Sequence, residues 1–450
     1  MLTKKPFLTL VHGISLMMVF LAASAIAEEQ KVYTLESSIA EAFAKNWRFK
    51  AKKERVVQAT HAKKQARAEF FPKLSASYGY TRLDDVETTP PTVIAMPGLG
   101  TLTLPGQELN AKNNYRLSLS VTQPVFTGFA LISSYELAKL GIDQSAMEVE
   151  LEKLDLALKV KEAYFNILIA DKGVEVARKE VESLESNVKV ASNFYKVGMI
   201  PINDLLKAEV ELANARQNLV RTINAAKLAR AGFNTVLSRP VNAGAEVKDV
   251  LYYKPEKLDL EKYLEDARKG RPEIKLLDIA IRQADQQIRL ARSKLYPEVS
   301  LKYEFIKEGD EPDVSGSPFH DDKRWEATAV VTWTFWEWGK THYAVKEKQA
   351  LRRELVLTRK STEDNVKLEV TDALLSLKTA AKNIPTTQKA VEQGEENLRV
   401  NEERYKAQVT TITEVLDAQT LLTRARVNYY RAFYAHKLAK AKLLRAIGTY

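Results

Sequence analysis

Glu414 and Asp417 stand three residues apart in the stretch TITEVLDAQ, a spacing that projects both carboxylates from nearly one face of a helix, one turn above the other. Such a pair concentrates negative charge. Two plainer readings compete with a functional one: Glu414 completes a capping box with Thr411, three residues before it, and Asp417 is a solvated position one turn on. Little else could do chemistry. His61, His320, His342 and His436 are scattered without ligand spacing, and Glu308, Asp310, Glu311, Asp313, Asp321 and Asp322 crowd one segment in no ligand pattern. With no cysteine there is neither a thiolate nor a disulfide framework. A nucleophile elbow, a metal motif and a Gly-rich phosphate loop are all missing from the sequence. We therefore expect no enzyme, no catalytic residue, no metal and no other cofactor.

The stretch holding the acidic pair is written twice. YKVGMIPINDLLKAE begins at Tyr195 and YKAQVTTITEVLDAQ at Tyr405. The duplication is wider still: ARAEFFPKLSASYGY from Ala66 matches ARSKLYPEVSLKYEF from Ala291, and VTQPVFTGFA from Val121 matches VTWTFWEWGK from Val331. The offset is 225 at the first of these and 210 at the others, so the first copy carries 15 extra residues between its strands. An exposed loop can absorb that difference.

Around each copy the periodicity switches. Leu74, Ala76, Tyr78 and Tyr80 alternate with small or polar residues, as do Tyr115, Leu117, Leu119 and Val121. In the second copy Val299, Leu301, Tyr303 and Phe305 alternate likewise, followed by Trp325, Ala327, Ala329, Val331 and Trp333. Period two with one apolar face means strands. Ser37–Phe70 reads as one helix ended by Pro72; Arg82–Asn114, with Pro90, Pro91, Pro97 and Pro105, and Ile306–Arg324 read as loops. Heptad seams then run through Met147, Leu151, Leu154 and Leu158, and through Val366, Val370, Ala373 and Leu377. These predict helices over 130–197 and 341–407, rods of roughly 100 Å at 1.5 Å per residue, with Pro385 expected to kink the second or remove a hydrogen bond. Gly198 suits a left-handed helix cap and Pro201 the first turn of the next helix, so each repeated stretch is the tip of a helical hairpin.

The expected organisation is a signal peptide at 1–27, a first repeat at 28–238 and an inter-repeat segment at 239–270. A second repeat fills 271–450. The first repeat has strands near 74–82 and 115–123, with helices over 130–197 and 203–237. The second has strands near 299–306 and 325–334, with helices over 341–407 and 411–447. Lys4 and Lys5, the apolar stretch Leu8–Ile26 and Ala25-Ile26-Ala27 mark the signal peptide and hence export. Its removal takes the formal charge from +10 to +8. That excess, spread over a richly charged chain, reads as a solvated surface, and no nucleic-acid partner is expected. No later run reaches the ~18 apolar residues of a spanning helix. A membrane must therefore be met by strands.

Four alternating strands cannot close alone, and open sheet edges are not tolerated in lipid. Bacterial barrels have an even number of strands, from about 8 upward; two chains would supply eight, three twelve and four sixteen. Here the residues carry a resemblance. FFPKLSASYGY and LYPEVSLKYEF, QPVFTGF and FWEWGK, and above all FYKVGMIPINDLLKAEVELANAR and RYKAQVTTITEVLDAQTLLTRAR resemble the outer-membrane efflux protein (TolC) family over essentially the whole mature chain. The resemblance implies a mostly α fold with a membrane β-barrel part. It implies a homotrimer: a 12-stranded barrel in outer-membrane lipid, continued by a 12-helix α-barrel tunnel through the periplasm. It implies a passive exit duct for efflux or type I secretion, working with a periplasmic adaptor (membrane fusion protein) and an inner-membrane pump of RND, ABC or MFS type. By position, Glu414 and Asp417 match the acidic residues of the periplasmic constriction. Asp204 and Tyr405 match a pair that hydrogen-bonds between neighbouring hairpins in the closed state, and Asn203 falls at a second gate partner. Thr410 stands where some members carry an arginine bracing the gate. Gln408 stands where a glycine is common, so the second tip is expected to be built differently from the first. The rival class is a periplasmic coiled-coil adaptor or scaffold, which would have no use for strands with apolar, aromatic-ended faces.

Overall fold

The computed structural model describes residues 32–98, 100–255, 257–319 and 321–450. The expected signal peptide and His320 lie outside the described residues. In chain order the elements are β1 (Val32–Tyr33), α1 (Leu35–Lys45), α2 (Trp47–Ala68), β2 (Lys73–Arg82), β3 (Thr92–Met96), β4 (Gly100–Leu104), β5 (Asn113–Thr127), α3 (Ala130–Lys196) and α4 (Ile202–Val236). There follow β6 (Glu246–Val247), α5 (Leu260–Gly270), α6 (Pro272–Ser293), β7 (Glu298–Gly309), β8 (Lys323–Thr332), α7 (Lys340–Lys406) and α8 (Ile412–Ala446). They pack into two units, each drawing matching parts from both repeats. One gathers the described residues up to Ala51 with Glu150–Arg271 and Asp364–Tyr450; the other gathers Lys52–Val149 with Pro272–Glu363.

In the second unit β2, β5, β7 and β8 form one antiparallel sheet in that order. Its register sorts the side chains, because directly paired residues share a face. Ala76 pairs with Leu119, Leu119 with Phe305, and Phe305 with Trp325; Leu74, Val121, Tyr303 and Ala327 form the next apolar row. The opposite face is polar apart from Ile306 and Val330. Ser75 and Ser120 join Oγ to Oγ at 2.7 Å, and Ser77 and Ser118 at 2.9 Å. Farther across, Arg116 bridges Glu308 at 3.2 Å and Glu304 at 3.8 Å, Lys302 bridges Glu304 at 2.5 Å, and Arg324 pairs with Glu308 and Glu326. Glu308, read in the sequence as a loop acid, is thus a strand residue in an ionic lattice, because β7 runs on to Gly309.

Between β2 and β5 the structure places a hairpin, β3 paired antiparallel with β4, where the sequence reads only a loop. Its strands are short and exposed on both faces. Prolines at 90, 91, 97 and 105 bracket them, so proline marks the ends of this ribbon rather than an absence of structure. The first helix also differs from expectation. The stretch Ser37–Phe70 divides at Asn46, whose Oδ1 accepts from the Phe49 N–H at 3.0 Å and opens α2 as a separate helix.

Helices α3 and α7 are each 67 residues long. Pro385 does not break α7. It sits on an exposed face, and the Thr386 and Thr387 hydroxyls donate to the carbonyls of Lys382 and Asn383 at 3.1 and 2.7 Å, within the same turns. No helix among the described residues is long and apolar enough to cross a membrane.

The first unit has its own core. The parallel pair β1–β6 covers Tyr164, whose hydroxyl donates to the Tyr33 and Lys248 carbonyls at 3.1 and 2.5 Å. Burial pushes that phenol up to about 12. Phe233 meets Tyr33 edge-on at 5.6 Å, and Arg445 grips Asp155 through two nitrogens at 2.9 and 2.8 Å. These contacts fix the middle of α3 against the C-terminal turns of α4 and α8, whose opposite ends carry the hairpin tips.

Candidate functional site

Both tips are built by one backbone motif. At the first, Gly198 takes φ +75°, its N–H bonds the Tyr195 carbonyl at 2.9 Å, and the Met199 N–H bonds the Phe194 carbonyl at 2.9 Å. That pair of bonds is the Schellman arrangement. At the second, Gln408 takes φ +60°, with its N–H on the Tyr405 carbonyl at 3.0 Å and the Val409 N–H on the Arg404 carbonyl at 2.8 Å. The expected difference between the tips is therefore overturned: hydrogen bonding dictates the turn, and glutamine adopts the left-handed conformation that glycine takes in the first copy. A Cβ in that region costs roughly 1–2 kcal/mol, partly offset by the greater unfolded-state freedom of glycine. Gln408→Gly should stabilise this end of the first unit by about 0.5–1 kcal/mol, read as a higher thermal midpoint by circular dichroism. A lower midpoint would show that the Gln408 side chain makes a compensating contact.

The two hairpins share a core. Val181 and Leu184 of α3, Ala208, Leu212 and Ala215 of α4, Leu398 and Tyr405 of α7, and Ile412, Val415, Leu416 and Leu422 of α8 bury one another. Tyr405 is 4% exposed, with its ring 5.6 Å from that of Phe194. Its hydroxyl is buried without a hydrogen-bond partner. Burial first, and the Asp204 carboxylate second, push this phenol above its ordinary value. Asp204 is thus near enough to act on Tyr405 through its field, although no hydrogen bond joins them in this single chain. Asp204 and Thr410 are half-buried and Asn203 is exposed. Pro201 is the N-cap of α4, one residue before its first turn.

Glu414 and Asp417 are exposed on α8, on either side of buried Val415 and Leu416. Among the described residues, neither carboxylate forms an ion pair. Thr411 is the N-cap of α8, but its side chain makes no capping hydrogen bond. The capping box expected from Thr411 and Glu414 is not formed, and Glu414 is free for another role. Asp417 lines a groove of about 580 Å³ between α4 and α8, together with Leu206, Lys207, Val210, Glu211 and Thr413, while Glu414 lies one turn before it on α8. Lys207 Nζ reaches Thr413 Oγ1 at 3.5 Å. Reading for acidic pairs passes over Lys207, although the repeat signals it: at the 210-residue offset Lys207 lies over Asp417 and Asp204 over Glu414. No group of His, Cys, Asp and Glu among the described residues is arranged to hold a metal.

A sheet with one apolar face and two unpaired edges, joined in one chain to long helical hairpins, defines the fold of an outer-membrane channel protomer. The model of the "Outer membrane efflux protein" family matches residues 38–237 and 263–449, and the chain belongs to that family. The fold is similar to those of several solved channels. One is the Campylobacter jejuni CmeC outer membrane channel (TM-score 0.77, 17% identity, covering 92% of this chain and 85% of that one). Another is CusC (0.76, 16%, 92% of each chain), and a third the open state of the Neisseria gonorrhoeae MtrE outer membrane channel (0.73, 19%, 92% and 89%). Among sequence relatives, Nodulation protein T of Rhizobium leguminosarum bv. trifolii is 19% identical over 320 residues, 70% of this chain and 67% of its own length. Protein CyaE of Bordetella pertussis is 24% identical over 244 residues, 52% of this chain and 46% of its own length.

Proposed function

We propose that three copies of this chain close a 12-stranded barrel in the outer membrane and form the exit duct of a tripartite efflux or type I secretion system. Substrates pass through it passively from an inner-membrane pump and a periplasmic adaptor. The observation that carries this reading is the sheet order β2-β5-β7-β8, which leaves β2 and β8 as edges of an apolar-faced sheet. Only closure with neighbouring copies satisfies those edges in lipid. Exposed Val197 and Met199 at one tip and Val409 at the other give an adaptor apolar anchors to dock on. Cross-linking and mass measurement in detergent should give a trimer that stays with the outer membrane through a salt wash. A stable monomer, or release by salt, would favour the periplasmic adaptor class instead.

We further propose that Glu414 and Asp417 ring the periplasmic constriction and that Asp204, Asn203, Thr410 and Tyr405 hold neighbouring hairpins closed. Buried donors seek partners, and the Tyr405 hydroxyl has none in the single chain while the Asp204 carboxylate lies within its field. Tyr405→Phe should raise open probability and mean conductance in planar bilayers. Unchanged currents in both Tyr405→Phe and Asp204→Ala would leave the two as packing residues.

A further inference from the structure

Asp417 does not face its groove alone. Lys207 occupies, in the first repeat, the position that Asp417 occupies in the second, and both side chains line the same groove between α4 and α8. Its ammonium reaches across to the first turn of α8, where Nζ meets Thr413 Oγ1 at 3.5 Å, next in sequence to Glu414. Buried Ala208 beside it belongs to the shared hairpin core, so the stem of Lys207 leaves a fixed backbone position. Among the described residues Lys207 forms no ion pair that would draw its charge elsewhere.

We propose that Lys207 is a specificity-determining residue of the periplasmic mouth, a tethered counter-cation that makes the constriction a mixed-charge ring. This rests on the reading that Glu414 and Asp417 line the pore. Threefold assembly then gathers the six carboxylates of Glu414 and Asp417 with three ammonium groups, beside the three carboxylates of Glu211 in the same groove, so the charge that draws cations is partly compensated from within. Charges that share a groove act on one another at separations below the ~8–10 Å screening length of physiological salt. They act more strongly where low-dielectric helix walls confine the field. The consequence is chemical. A purely acidic ring favours cations and excludes anions, whereas a ring carrying lysines also offers a hydrogen-bonding cation to the carboxylate or phosphate of a zwitterionic or anionic solute. The mouth is thereby open to a wider class of cargo than six carboxylates alone would pass.

The test uses the full-length channel in planar bilayers, with hexaamminecobalt(III) as the trivalent probe on the periplasmic side. Lys207→Met keeps the apolar stem and removes the charge. It should raise cation-over-anion selectivity and tighten block by about tenfold at low salt, an effect that shrinks toward 1 M salt as the field is screened. Lys207→Arg should behave like the parent protein, and a purely structural role predicts no such rescue together with no salt dependence. If Lys207→Met leaves selectivity and block unchanged while Glu414→Ala/Asp417→Ala weakens both, the lysine proposal is overturned and the acidic constriction stands. If neither variant alters them, the groove does not line the pore, and both readings fall.

Discussion

Leu119→Lys should abolish stable assembly, while Ser120→Lys, one residue on, leaves it largely intact. Register sets this expectation. Leu119 lies in the apolar row with Ala76, Phe305 and Trp325, near the middle of β5. A lysine facing lipid near the bilayer midplane costs about 2–4 kcal/mol, which in the proposed trimer amounts to about 6–12 kcal/mol. Ser120 lies in the polar row, bonded to Ser75 and paired in register with Glu304. A lysine there loses one hydroxyl contact and gains a carboxylate neighbour. The readout is the fraction of trimer that resists dissociation in cold detergent, with Leu119→Ala as a control for lost packing. Equal loss in both lysine variants would mean that the register or the membrane-facing side is misassigned.

The sheet was legible because alternation is a local signal: each strand announces its apolar face without reference to its neighbours. What the alternation could not show is which residues pair, and hence that Arg116, Arg324, Lys302, Glu304 and Glu308 converge in one lattice. The long helices were legible for a similar reason, since a heptad seam repeats over many turns. Failures came where one residue type serves two purposes. Proline at 90, 91, 97 and 105 reads as a breaker, yet it flanks β3 and β4. Asn46 looks like an unremarkable helix residue until its side chain caps α2. Thr411 and Glu414 have the spacing of a capping box without its hydrogen bond. Gln408 lacks the conformational freedom that Gly198 brings to its turn, yet two backbone hydrogen bonds to the last helical turn impose the same conformation. At the candidate site the acidic residues could be named from sequence. The unpartnered Tyr405 hydroxyl and the lysine sharing the groove needed three dimensions.

The Glu414→Ala/Asp417→Ala double variant should lose most of the cation selectivity of the channel and weaken trivalent block from the periplasmic side by more than about tenfold. Both carboxylates are exposed, one turn apart and, among the described residues, outside any ion pair, so Lys207 across the groove offsets their charge only in part. In the trimer proposed above they would stack as two rings of three. A trivalent cation bridging chains relieves the repulsion within each ring, and that relief is what holds it in the mouth; alanine removes both the repulsion and the ligand. Buried Val415 and Leu416 between them remain untouched, so the helix keeps its seat in the core. Because Thr411 makes no side-chain cap and Glu414 therefore has no capping partner, the double variant should unfold within about 0.5 kcal/mol of the parent, as surface substitutions usually do. A capping role for Glu414 predicts the reverse pattern: a stability loss of about 1 kcal/mol with selectivity and block preserved. Single-channel reversal potentials and a thermal melt on the same two preparations separate these outcomes, and unaltered block in the double variant would remove the carboxylates from the constriction.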